Sequence, residues 1–240
     1  MASDRRDNRR DESVAGSDGR IHAPRTSGSL AQLRPMLLDG LSDAQRLAFL
    51  KECQPLHLPG PAEILSQGEP PRSCYLIVQG RVEITFLDHD GNVVLVHVAG
   101  PGEMVGEVEI LSDLTCAATC RTYPHTRLLT FGAALLTRHV PPPILMRNLA
   151  ALFHNRLLLH SRMRAITQFY PAEARVRLHL LNLADNRSEV QVNQAQLAQM
   201  AGCSRQTVNR VLGELRAEGL IVTRRGAVRI LNGASMKLGD

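Results

Sequence analysis

The sequence predicts an α+β chain. It reads as an N-terminal β sandwich, roll or barrel, then a long helix, then a C-terminal helix-turn-helix with a two-stranded wing. Three observations predict this. Short β-branched runs divided by Gly, Pro and Asp occupy about 54–131. An apolar seam with alternating four- and three-residue steps runs through 143–169. The stretch AGCSRQTVNRVLGELRAEGLI, 201–221, sets a glycine turn and a capping serine ahead of an amphipathic run that is rich in arginine and amides at its front.

Composition allows this plan. The 240 residues suffice for two compact domains of about 100–150 residues each. No apolar run approaches the ~20 residues of a membrane span, so no membrane partner is expected. DRRDNRR near the start is followed by no hydrophobic segment, which does not fit a secretory or twin-arginine signal, and a cytoplasmic protein is expected. Five cysteines without paired spacing suit a reducing compartment rather than a disulfide framework, and no Cys/His cluster has zinc-ligand spacing.

Charge is unevenly spread. Residues 30–138 carry a formal −4, whereas 139–170 and 171–240 each carry +4 and the first 29 residues +1. An acidic front and a basic rear point to a polyanion partner for the rear alone.

In chain order, residues 1–29 are polar and rich in Ser, Gly, Arg and Asp; they bury too little to offset ordering entropy, and a disordered tail is expected. Residues 30–52 suit short helices, with Ser42 capping DAQRLAFLKEC. AEILSQG, SCYLIVQG, RVEITFLD, NVVLVHVAG, AATCRTY and TRLLTF read as strands, and DHDGN between two of them as a hairpin turn. GAALLTRH is a short helix ahead of the VPPP break. The seam then comprises Leu145, Leu149, Leu152, Arg156, Leu159, Met163 and Ile166. Its length invites a partner helix, which a two-fold DNA reader also needs; the competing reading packs it on its own β domain. Arg156 interrupts the seam and either sets register or snorkels to solvent. Pro171 breaks the chain and opens a new helix, AEARVRLHLLNLAD, at the boundary between the two domains. EVQV follows as a strand, and LIVTRRGAVRIL as a hairpin turning near Gly226.

Between these lies the helix-turn-helix. Asn193 caps QAQLAQMA, Gly202 supplies the left-handed turn, and Ser204 caps a helix from Arg205 to about Ala217. Leu197, Ala201, Val208, Val211, Leu212 and Leu215 form the shared inner face. That leaves Arg205, Gln206, Asn209 and Arg210 outside, where a recognition helix enters the major groove. Arginine forks onto guanine and amides onto adenine. Ser204 and Thr207 suit phosphate oxygens, and Thr223, Arg224 and Arg225 could grip the backbone as a wing.

Together these residues resemble the CRP/FNR family of bacterial transcription regulators over about 30–232. Cys203, Ser204, Arg205, Thr207, Val208 and Arg210 match the family's recognition helix, with Gln206 where a glutamate is common. GEMVGEVEIL, 102–111, resembles the family's effector cassette. The resemblance implies a cyclic-nucleotide-binding-like β-roll (jelly roll) with flanking helices over 30–142, a dimerisation helix over 143–170 and a winged helix-turn-helix DNA-binding domain over 171–240. It further implies a homodimer on an inverted repeat of double-stranded DNA, contacting RNA polymerase.

In cyclic-AMP-binding relatives a Gly-Glu pair holds the ribose and an Arg-Ser pair neutralises the phosphate. Gly106 and Glu107 keep the first pair, but the second aligns with Cys116 and Ala117. A phosphate near Glu107 would lack a counter-charge, so cyclic AMP is not expected as a tight ligand. His160 and Ser161 align with the positions that meet the base and could bind something polar. An unknown small-molecule effector at these six residues, a signal of another kind, or no effector remain open. No N-terminal cysteine cluster suits an iron–sulfur sensor. Cys116 and Cys120, on one face of an expected strand, are either a thiol switch or core residues. His57, His89, His97, His125, His139, His154 and His160 offer haem ligands in principle, but no motif singles one out.

The competing class is an enzyme or an enzyme-regulating nucleotide module. No nucleophile–base pair, phosphate loop or metal set supports it, so an enzyme is not expected, and Glu103, Glu107 and Glu109 read as a ligand-facing turn with solvent around it.

Overall fold

The computed structural model describes residues 30–184, 188–224 and 226–236. The tail expected to be disordered, 1–29, and the wing residue Arg225 lie outside the described residues.

The N-terminal domain opens with helix α1 (Asp43–Glu52). Its start is fixed by a reciprocal cap: the Gln45 backbone N–H donates to Ser42 Oγ at 3.2 Å, and the Ser42 backbone N–H donates to Gln45 Oε1 at 2.9 Å. Eight strands follow: β1 (Gln54–Leu58), β2 (Glu63–Leu65), β3 (Cys74–Gln79), β4 (Val82–Leu87), β5 (Val93–Ala99), β6 (Met104–Val105), β7 (Thr119–Thr122) and β8 (Thr126–Phe131). Helix α2 (Glu107–Ser112) separates β6 from β7, and α3 (Ala133–His139) follows β8. The strands form two four-stranded antiparallel sheets, ordered β1-β8-β3-β6 and β2-β7-β4-β5. Six of the eight fall on the runs read as strands from the sequence.

The other two, β1 and β6, are both sheet edges. Pro55 lies within β1 and is tolerated because that strand has one neighbour only. Two-residue β6 is too short to alternate. At the β4–β5 turn, the Asp88 carboxylate accepts from the backbone N–H of Asp90 and Asn92, and Gly91 takes φ +83°.

Ile77, Val82, Cys120 and Leu128 fill the space between the sheets. A second core lies under the helices, built on Phe49, Leu76, Phe131 and Leu136.

Helix α4 (Pro142–Phe169) has 28 residues and therefore spans about 42 Å. Buried Asn148 ties its first half to the short helical turn Met36–Leu38, donating to the carbonyls of Leu37 at 3.0 Å and Asp39 at 2.8 Å. Leu145 belongs to the core under the helices, with Leu149 and Leu152 packed against it. The first half of the seam expected to meet a partner helix is therefore covered by the chain's own β domain. Arg156, its side chain still 44 % exposed, pairs with Glu107 of the β domain. Farther along, Leu159 is exposed, Met163 half-buried and Ile166 buried. The apolar stripe left uncovered is a different one: Met146, Phe153 and Leu157 are 73, 49 and 66 % exposed. Helical spacing identified a stripe correctly but carried no information about what lies opposite it.

The C-terminal domain comprises α5 (Ala172–Leu183), β9 (Glu189–Val190), α6 (Gln194–Ala201), α7 (Arg205–Ala217), β10 (Ile221–Arg224) and β11 (Ala227–Ile230). The strands pair antiparallel in the order β10-β11-β9. The core joins Val176 and Leu180 of α5 to Leu197, Val208, Val211 and Leu215. Leu95 and Val98 of β5 belong to the same core, so this domain is seated on the β4–β5 hairpin. Gln196 of α6 completes the joint, donating from Nε2 to the Glu83 carboxylate and to Tyr123 OH, the latter at 2.6 Å.

Candidate nucleic-acid interface

Both helices of the helix-turn-helix begin and end as their sequences dictate. Asn193 Oδ1 accepts from the backbone N–H of Ala195 and Gln196, both at 2.9 Å, while the Gln196 side chain returns a bond to the Asn193 N–H. Gly202 ends α6 at φ +56°, a left-handed conformation that costs glycine nothing. Ser204 Oγ then accepts the Thr207 N–H at 3.1 Å and starts α7. All six predicted inner-face residues are buried.

Burial of that face turns Arg205, Gln206, Asn209 and Arg210 to solvent in the first turn and a half of α7. Beside them is a cleft of about 400 Å³, lined by Asn193, Arg205, Thr223, Arg224 and Gly226 among others. It joins the start of α6, the front of α7 and the wing. Arg224 is exposed at the rim, and Gly226 turns the wing at φ +75°. Thr207 is half-buried, its Oγ1 3.0 Å from Ser204 Oγ.

The arginines differ in state. Among the described residues Arg205 enters no ion pair. Arg210 enters two: its Nη1 is 2.8 Å from Glu214 Oε1, and its Nη2 meets Glu173 Oε1 from the first turn of α5. Glu173 is a site residue that the sequence reading missed, since α5 lies well upstream and nothing in the local pattern of α7 points to it.

The residues aligned with an effector site are only partly assembled. Gly106 is buried at φ +82°, where a Cβ would meet Leu65 Cδ1 at 3.0 Å and the Ser73 carbonyl at 3.1 Å. Glu107 is 1 % exposed; its Oε1 takes the Arg156 guanidinium, and its Oε2 has no hydrogen-bond partner among the described residues. Burial pushes its carboxyl above the usual value, with Arg156 opposing. Glu107 and Glu109 therefore lie in a helix, not in a solvated turn, and Glu103 is engaged with His97 at 2.7 Å. Cys116 is buried, but Ala117 is exposed and donates its N–H to Glu109 at 3.3 Å. His160 and Ser161 are also exposed and line a separate groove with Leu157 and Arg164.

Cys120 lies in β7, whereas Cys116 precedes that strand, so the even-spacing argument does not apply to the pair; both are buried. Burial pushes the Cys120 thiol up to about 12 and raises that of Cys116 as well. Burial of this kind lowers the thiolate fraction on which thiol reactivity depends. Among the described residues no group of three His, Cys, Asp or Glu is placed to hold a metal ion, and no helix is long and apolar enough to cross a membrane.

A two-sheet β domain, a long helix and a winged helix-turn-helix with arginines and amides at its front define a class: DNA-binding transcription regulators built on a cyclic-nucleotide-binding-like roll. Known proteins bear this out. Residues 55–138 match the model of the cyclic nucleotide-binding domain, and 174–237 that of the Crp-like helix-turn-helix domain. The chain belongs to the CRP/FNR family of transcription regulators. It is 30 % identical over 177 residues to the cyclic AMP receptor protein of Thermus thermophilus, covering 72 % of this chain and 82 % of that one. It is 26 % identical over 198 residues to the CRP-like cAMP-activated global transcriptional regulator of Mycobacterium tuberculosis, covering 78 % and 88 %. The structure of FixK2 from Bradyrhizobium japonicum shares the fold at a TM-score of 0.66 and 18 % identity, over 77 % of this chain and 95 % of that one.

Proposed function

We propose that the protein acts as a homodimer on an inverted-repeat duplex, with α7 of each copy in successive major grooves about 34 Å apart. The supporting observation is the exposed row Arg205, Gln206, Asn209 and Arg210, held at the front of a helix whose other face is wholly buried. Arg205 and Arg210 suit guanine, and Gln206 and Asn209 suit adenine. Ser204, Thr207, Arg224 and Arg225 are assigned to the phosphates. Met146, Phe153 and Leu157 supply the apolar contact between copies, and RNA polymerase is the expected further partner. This work belongs in the cytoplasm, where the DNA is.

The relatives are cAMP-activated by name. For this chain we assign control to a signal other than tightly bound cyclic AMP, or to none. Cys116 and Ala117 bring no cation beside Glu107, and the guanidinium that reaches it already neutralises that carboxylate. A signal in the β domain would act by shifting the packing of α4 and, through the break at Phe169–Pro171, the spacing of the two reading helices.

The test is site selection from random duplexes, then binding by the native chain and Arg205→Ala across salt. A selected inverted repeat is expected, and Arg205→Ala should retain only weak, strongly salt-dependent binding. Absence of any preferred sequence overturns the reading. Micromolar binding of cyclic AMP in calorimetry would overturn the effector assignment alone.

A further inference from the structure

We infer that Glu173 is a specificity-determining residue of the DNA-reading surface, acting as a positioning residue through Arg210. The inference rests on α7 being the helix that reads DNA and adds a carboxylate on α5 that governs how one of its arginines is used.

Two carboxylates from two helices flank one guanidinium. Glu214 holds Nη1 from one turn farther along α7, and Glu173 holds Nη2 from the start of α5. The three side chains are all roughly half exposed, between 42 and 52 %. Exposed pairs of this kind contribute little to fold stability, so the arrangement is better explained by the surface it shapes. Its local charge is −1, although it sits beside Asn209 in the row offered to DNA.

That charge matters because sequence-independent binding comes almost entirely from cations meeting phosphates. A phosphate approaching Arg210 from any register meets a guanidinium already neutralised and an excess carboxylate. Arg210 is thereby removed from the non-specific term, whereas Arg205, without an ion pair among the described residues, contributes to it. A guanine edge is different. It is uncharged and presents two acceptors in a fixed geometry, and the guanidinium has N–H groups beyond the two engaged by the carboxylates. Fixing the side chain beforehand also removes part of its ordering cost on binding. Glu173 therefore suppresses wrong-site affinity more than right-site affinity, which is discrimination by an unfavourable contact.

The test uses the full chain and compares Glu173→Gln with Glu218→Gln, a control that removes one surface carboxylate paired with Arg177 at 3.7 Å. Binding to the selected duplex and to a scrambled duplex is measured from about 50 to 200 mM salt. Relative to the control, Glu173→Gln is expected to tighten scrambled-duplex binding by about five-fold and to steepen its salt dependence by about one unit, because one more cation reaches phosphate. Selected-duplex affinity should change by less than about two-fold, so the specificity ratio falls. In an Arg210→Ala background Glu173→Gln should match the control, and thermal stability should be unchanged throughout. Three results overturn the inference: equal effects of Glu173→Gln and Glu218→Gln, an effect that survives without Arg210, or weaker binding to both duplexes. If the native chain prefers no duplex, the reading of α7 itself has failed.

Discussion

Arg156, midway along α4, reaches the carboxylate of Glu107, which lies 1 % exposed in the first turn of α2. The pair joins the long helix to the segment aligned with an effector site. Only one end is desolvated, because the Arg156 side chain remains 44 % exposed.

This asymmetry sets opposite outcomes for the two partners. Burial raises the Glu107 carboxyl above its unfolded value of 4.5. The stability linked to its proton is therefore complete below that value and is lost as pH rises through the folded one. Glu107→Gln, which removes the buried charge and leaves only the half-exposed Arg156 unpaired, should stabilise the fold at pH 7, with the gain vanishing below pH 4.5. Arg156→Ala should cost about 3 kcal/mol at pH 7, since it strands a buried carboxylate, and less in acid. Urea unfolding of the three proteins across pH checks both signs.

The two faces of α4 differ in burial, and under the proposed dimer they should fail differently. Leu157→Glu places a charge on the uncovered stripe, so sedimentation should show a monomer with no loss of stability within the chain. Affinity for the inverted repeat should then fall at least about 100-fold as the second half-site becomes independent. Leu149→Ala, on the covered face, should cost about 2–4 kcal/mol and leave the assembly unchanged.

Gln206 offers both a donor and an acceptor at a position where the family resemblance implies a glutamate, which only accepts. Gln206→Glu should move preference at one base pair per half-site from adenine towards cytosine, with about 1–3 kcal/mol of discrimination. Repeating the site selection reads this directly; the same logo from both proteins would remove Gln206 from the base-contacting set.

His179 of α5 is 4 % exposed in the C-terminal core, and neither ring nitrogen makes a well-formed hydrogen bond among the described residues. Burial first, then the charge of Arg175, holds its pKa below 6.5, with the Met200 backbone opposing weakly. A histidine shifted this way leaves stability intact above 6.5 and withdraws it as pH falls, because the unfolded chain takes the proton first. Thermal unfolding should show the native chain losing stability as pH falls below 6.5, and His179→Leu should flatten that slope.

Much of this protein is written in short-range code. Ser42, Asn193, Gly202 and Ser204 each fix an element boundary through bonds that span no more than five residues, and their sequence readings agree with the structure. The inner face of the helix-turn-helix was equally legible, because a 3.6-residue period and a known turn leave one choice of side to bury. Strands β1 and β6 escaped because a proline and a two-residue length erase the alternation that marks a strand.

The sequence by itself therefore determined six of the eight strands of the β domain, the helix-turn-helix with its caps and glycine turn, and the row of arginines and amides at the front of α7. Only the tertiary structure decided which stripe of α4 is covered, that Glu107 is buried against Arg156 49 positions away, and that Glu173 holds Arg210 across 37. The reason is physical. Periodicity and capping act within a turn or two of chain, whereas the partner of a face or a charge is whatever the packing of distant segments brings against it.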